Sequence, residues 1–67
     1  MHNVYFNLPQ SANIATFARS FSVKRNAVRF ANKAVRNGQA SLAQVWTDET
    51  IGTEGRTVER LTYERLD

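Results

Sequence analysis

Apolar residues recur at helical spacing in one stretch of the chain and at alternating spacing in several others. The helical stretch is Ser22 to Gly38, SVKRNAVRFANKAVRNG. At about 100° per residue with Val23 at zero, Ala27, Phe30, Ala31 and Ala34 fall on one arc, and Val28 and Val35 lie at its border. Arg25, Arg29, Lys33 and Arg36 fall on the opposite side. Lys24 sits near the apolar border, where its methylene stem can lie along the surface with the ammonium in water. Ser22 is the expected N-cap, its hydroxyl accepting from an unpaired first-turn amide. Asn37-Gly38 is the expected exit, because glycine takes the left-handed conformation that closes a helix. At roughly 1.5 Å per residue the helix spans about 22 Å, the length of a six- or seven-residue strand.

Elsewhere the pattern is that of strands. Met1-His2-Asn3 reads as a loose end. In Val4–Leu8, Val4, Phe6 and Leu8 share one face and Tyr5 and Asn7 the other. Pro9–Asn13 is turn material. Ile14–Phe21 fits two patterns. As a strand it puts Ala15, Phe17, Arg19 and Phe21 on one face and pairs back on Val4–Leu8; as a helix it gives a stripe of Ile14, Phe17, Ala18 and Phe21. That stripe is out of phase with Val23, Ala27, Phe30 and Ala34, so a break at Ser20–Ser22 is expected either way. Ser41–Thr47 and Arg56–Glu64 read as a hairpin across the polar loop Asp48–Gly55, although Val58, Leu61 and Arg65 also fit helical spacing.

Two architectures follow. The first is an α+β fold over residues 1–67 as one domain, with one amphipathic helix packed on a small antiparallel sheet (ββαββ or βαββ). The second is a winged helix-turn-helix. IATFARSFSVKRNAVRFANKAV, residues 14–35, resembles the helix-turn-helix motif of DNA-binding repressors. Ala18 stands at its small first-helix position, and Phe21, Val23 and Val28 at its buried ones. Lys24, Arg25, Asn26 and Arg29 stand on what the resemblance makes the recognition helix. Ser22 replaces the usual turn glycine, and Phe30 would face the groove. RSFSVKRNAVRFANKAVRNG followed by ASLAQVW is also similar to short phage and prophage proteins of hairpin–helix–hairpin pattern. That resemblance implies binding to a host protein or a nucleic acid.

Charge sharpens the functional expectation. The formal net charge is +3, but it is unevenly spread. Residues 1–47 hold Arg19, Lys24, Arg25, Arg29, Lys33 and Arg36 and no acid; residues 48–67 hold six acids against Arg56, Arg60 and Arg65. Such polarity favours an anionic partner. The expected contact set is Lys24, Arg25, Arg29, Lys33 and Arg36, with Tyr5, Trp46 and Tyr63 as candidate aromatic contacts to bases or to a protein. The partner expected is a nucleic acid first and an acidic host protein second, with a homodimer compatible with so short a chain.

The inventory offers little for catalysis. There is no cysteine and one histidine, His2. Without a held, tuned acid–base group or a soft-ligand cluster, neither an enzyme, a metal site nor a cofactor is expected. No apolar run approaches the roughly 20 residues of a membrane span and no stretch resembles a signal peptide, so a soluble, cytoplasmic protein is expected.

Overall fold

The computed structural model describes residues 1–8, 14–51 and 54–64. In chain order these form β1 (His2–Asn7), β2 (Ala15–Phe21), α1 (Lys24–Arg36), β3 (Leu42–Ile51) and β4 (Glu54–Glu64). The strands make one antiparallel sheet in the order β2-β1-β3-β4, and α1 covers one of its faces. This is the ββαββ arrangement. The turn expected at Pro9–Asn13 lies outside the described residues.

Residues 15–21 are a strand, so the helix-turn-helix arrangement is not what the chain forms. Burial at Ile14 and Phe17 is not the reason, since they stay 62% and 55% exposed; the strand gains at Phe21, set against Phe30, and in its backbone. Pairing with β1 satisfies the backbone groups along one of its two sides.

The core lies between α1 and the sheet. Ala27, Ala31, Ala34 and Val35 of the helix meet Val4 and Phe6 of β1 and Ala43 and Val45 of β3. Phe30 stacks on Phe6 with ring centroids 5.4 Å apart and tilts against Phe21 at 5.3 Å. Small helix residues let the backbone approach the pleated surface, and the phenylalanines fill the flank toward β2.

Both helix ends are informative. At the C-terminus Gly38 takes φ 80°, Gly38 N–H donates to the Val35 carbonyl and Gln39 N–H to the Ala34 carbonyl. This is the double bond of a Schellman closure, as Asn37-Gly38 predicts. At the N-terminus the expectation fails by one residue. The N-cap is Val23, with no side-chain cap bond, and Ser22 is not the cap. Val23 is accordingly 45% exposed rather than on the apolar arc.

The strands also run past the expected bounds. His2 and Asn3 belong to β1: His2 pairs with Phe21 and Thr47, and its Nδ1 lies 2.8 Å from Thr47 Oγ1. The stretch Asp48–Gly55 is not a loop throughout, since Asp48 pairs with Thr57, Glu49 with Arg56, Thr50 with Gly55 and Ile51 with Glu54. The β-branched Thr50 and the opposed charges of Glu49 and Arg56 favour pairing there. Gly52 and Thr53 lie outside the described residues. The hairpin thus extends beyond the end of β1 as an arm.

Two irregularities set which side chains face where. Val4 pairs with Arg19 but Tyr5 with Phe17, leaving Ala18 as an extra residue in β2. Thr47 pairs with Glu59 but Asp48 with Thr57, leaving Val58 extra in β4. Each is a β-bulge, and each falls on an outer strand of the sheet.

Candidate functional site

The outer face of α1 carries Arg25, Arg29, Lys33 and Arg36, all exposed. They point away from Ala27, Ala31 and Ala34, which are buried against the sheet. Among the described residues none of the four has an acidic group within ion-pair distance. Lys24 differs: its Nζ lies 2.7 Å from Glu59 Oε1, a half-exposed pair bridging α1 to β4. The five cations expected to act together therefore divide into four that face solvent and one already engaged.

Arg19 adds to this surface. It pairs with Val4 and so lies on the helix side of β2, in phase with Phe21, with its guanidinium 5.1 Å from that ring's centroid. It flanks the helix on the side where Phe21 meets Phe30. The strand pattern already puts Arg19 on one face with Phe21; only the pairing with β1 shows that this face is the one toward the helix.

The sheet face away from α1 is a second surface. Register places Phe17 opposite Tyr5, Asn3 opposite Trp46, and Trp46 opposite Arg60 on this side. The side chains form a row across all four strands. Phe17 and Tyr5 meet edge to face at 5.7 Å, Tyr5 and Trp46 at 5.0 Å, and the Arg60 guanidinium lies 4.2 Å from the Trp46 centroid. The polar groups beside the row bond among themselves. Trp46 Nε1–H donates to Gln44 Oε1 at 2.6 Å, Ser20 Oγ to Asn3 Oδ1 at 2.5 Å, and Asn3 Nδ2 to Asp48 Oδ2 at 2.5 Å.

Tyr5 and Trp46 are thus together on the open face, and Tyr63 is not with them. Tyr63 pairs with Ala43 and packs against the core on the helix side. The bulge at Val58 does not alter this, since residues 59–64 alternate regularly; Tyr63 has the same phase as Leu61, which is also core. Phe17 and Arg60, absent from the expected set, take its place. Nothing in the sequence marks a bulge, so Phe17 and Phe21 read as one face when they occupy two.

Asp48 anchors the root of the arm. Its carboxylate accepts from Asn3 and from Thr57 Oγ1 at 3.0 Å, and its backbone N–H donates to the Met1 carbonyl at 2.9 Å. A shallow, open hollow there is lined by Asp48, Gly55, Arg56 and Thr57. Among the described residues no group of three or more His, Cys, Asp or Glu side chains is placed to hold a metal ion, and no helix is long and apolar enough to cross a membrane.

The fold and surfaces define the class: a small α+β domain with a basic helix on one side and an aromatic row on the other. Compared with protein-family models, curated proteins and solved structures, the chain matches none.

Proposed function

We propose that this chain is a non-enzymatic binding protein whose basic helix face contacts a polyanion, with nucleic acid as the leading partner. The observation that carries the reading is the exposed line of Arg25, Arg29, Lys33 and Arg36, without acidic partners among the described residues. From Arg25 to Arg36 the rise is about 16 Å. A duplex presents one charge per roughly 1.7 Å of axis, so the stripe faces on the order of nine phosphate charges. Asn26, exposed beside Arg25 and Arg29, adds an amide able to bond sugar or base edges.

Four phosphate contacts give a slope of log affinity on log salt near −3.6, at about −0.9 per contact. Binding to random duplex and to single strands, measured at two salt concentrations, tests this. Reversing charge in Arg25→Glu with Arg29→Glu should abolish binding while circular dichroism stays unchanged. Absence of salt-sensitive binding near physiological ionic strength would remove nucleic acid as the partner. A nuclease-resistant acidic protein captured through the same arginines would then take its place.

A further inference from the structure

Large side chains are divided between the two faces of the sheet, with Phe6, Phe21, Phe30 and Tyr63 on the helix side and Tyr5, Phe17 and Trp46 on the other. Of the nine buried core residues among those described, five are alanines, and the largest fully buried side chains are Val4 and Val45. The bulkiest ring, Trp46, lies with Tyr5 and Phe17 on the face that α1 does not cover, and Phe17 is more than half exposed. So thin a core leaves much of the chain's aromatic surface outside.

The chemistry of that face selects its occupant. Among the described residues its one cation is Arg60, whose guanidinium already lies over Trp46; its acids are Asp48 and Glu64. A phosphate chain would meet more negative than positive charge there. A protein surface would meet a charge-poor centre of Trp, Tyr and Phe with Arg at the border, the composition of binding hot spots. The row is also directional, running bare ring, ring, ring, cation. A two-fold axis lying along the strands turns that row end for end. It sets Arg60 of one copy on the second copy's Phe17, and Tyr5 on the second copy's Trp46, each contact made twice.

We propose that the open sheet face is a self-association surface through which two copies pack sheet to sheet in this register. Aligned sheets stack about 10 Å apart, with the helices on the two outer sides. At about 3.3 Å along and 4.8 Å between strands, the face measures on the order of 500 Å² per copy. A pair therefore buries roughly 1,000 Å², the low end of specific interfaces, so association is weak and concentration-dependent.

Sedimentation of the intact chain without nucleic acid, from micromolar to millimolar concentration, should show the mass rising from 7.6 kDa toward twice that value. Phe17 is exposed on an outer strand, so it can be changed without unfolding the domain. Phe17→Arg sets like charges against Arg60 of the second copy and should weaken association by about tenfold or more. Phe17→Glu sets opposite charges there and should retain it. A wild type that stays monomeric throughout overturns the proposal, as does equal behaviour of the two Phe17 variants. Quenching of Trp46 fluorescence by single strands, undiminished in the Arg25→Glu, Arg29→Glu variant, would assign the face to nucleic acid instead. Because sedimentation needs no nucleic acid, its outcome is independent of the reading of the helix face.

Discussion

Phe30 is the side chain on which the two sides of α1 depend. It joins Phe6 and Phe21 in one aromatic contact, filling the flank that the helix alanines leave open. Phe30→Ala should cost about 3 kcal/mol, the lower end of the range for buried rings because Phe30 is only partly buried, read as a fall in the urea midpoint at constant slope. Val23→Ala, by contrast, should change stability by less than about 1 kcal/mol, since Val23 is 45% exposed and alanine caps a helix no better than valine. Periodicity alone assigned both residues to one arc. It located Phe30 correctly because several turns of helix fix its phase, and misplaced Val23 because a cap residue has left that phase. In β2 the same reasoning met a harder limit. Phe17 and Phe21 are an even number of positions apart, yet the extra residue at Ala18 sends one outward and one inward.

Among the elements, α1 has a well-made exit and a bare entrance. Gly38 holds a positive φ that a Cβ disfavours, so Gly38→Ala should lose about 1–2 kcal/mol in chemical denaturation. Val23 has extended backbone, as an N-cap requires, but no side-chain acceptor. Val23→Asn should therefore gain about 1 kcal/mol, unless Ser22 shifts the start of the helix to itself. The helix and its C-terminal stop were legible because hydrophobic period and glycine chemistry agree over 13 residues. The strand ends were not. Polar, β-branched residues such as Thr50 and Thr57 suit either a loop or a solvated hairpin arm, and only long-range pairing decides between them. The same holds for His2 and Asn3, which gain their order from Thr47 and Asp48, far along the chain. Of the candidate contacts, the helix cations were readable from phase, apart from the Lys24–Glu59 pair, which joins elements distant in sequence.

Across the whole molecule, charge follows the long axis. The arm beyond the start of α1 carries Asp48, Glu49 and Glu54 against Arg56, whereas Lys33 and Arg36 lie at the far end of the helix. Polyanion binding should therefore orient the chain with its arm pointing away from the ligand. Pairing through the open face would put one basic helix on each outer side, which makes a bridge between two duplex segments. With two differently labelled duplexes, the wild type should bring them together, whereas Phe17→Arg should bind each yet join none. Crowding many copies along one polymer brings a hazard of its own, because exposed outer strands can zip into one another and grow as fibres. Here each outer strand is interrupted, at Ala18 and at Val58, so the row of backbone donors and acceptors it offers a neighbour is out of step. The residue that turns Phe17 outward thus also acts as a brake on runaway polymerisation when the protein is locally concentrated.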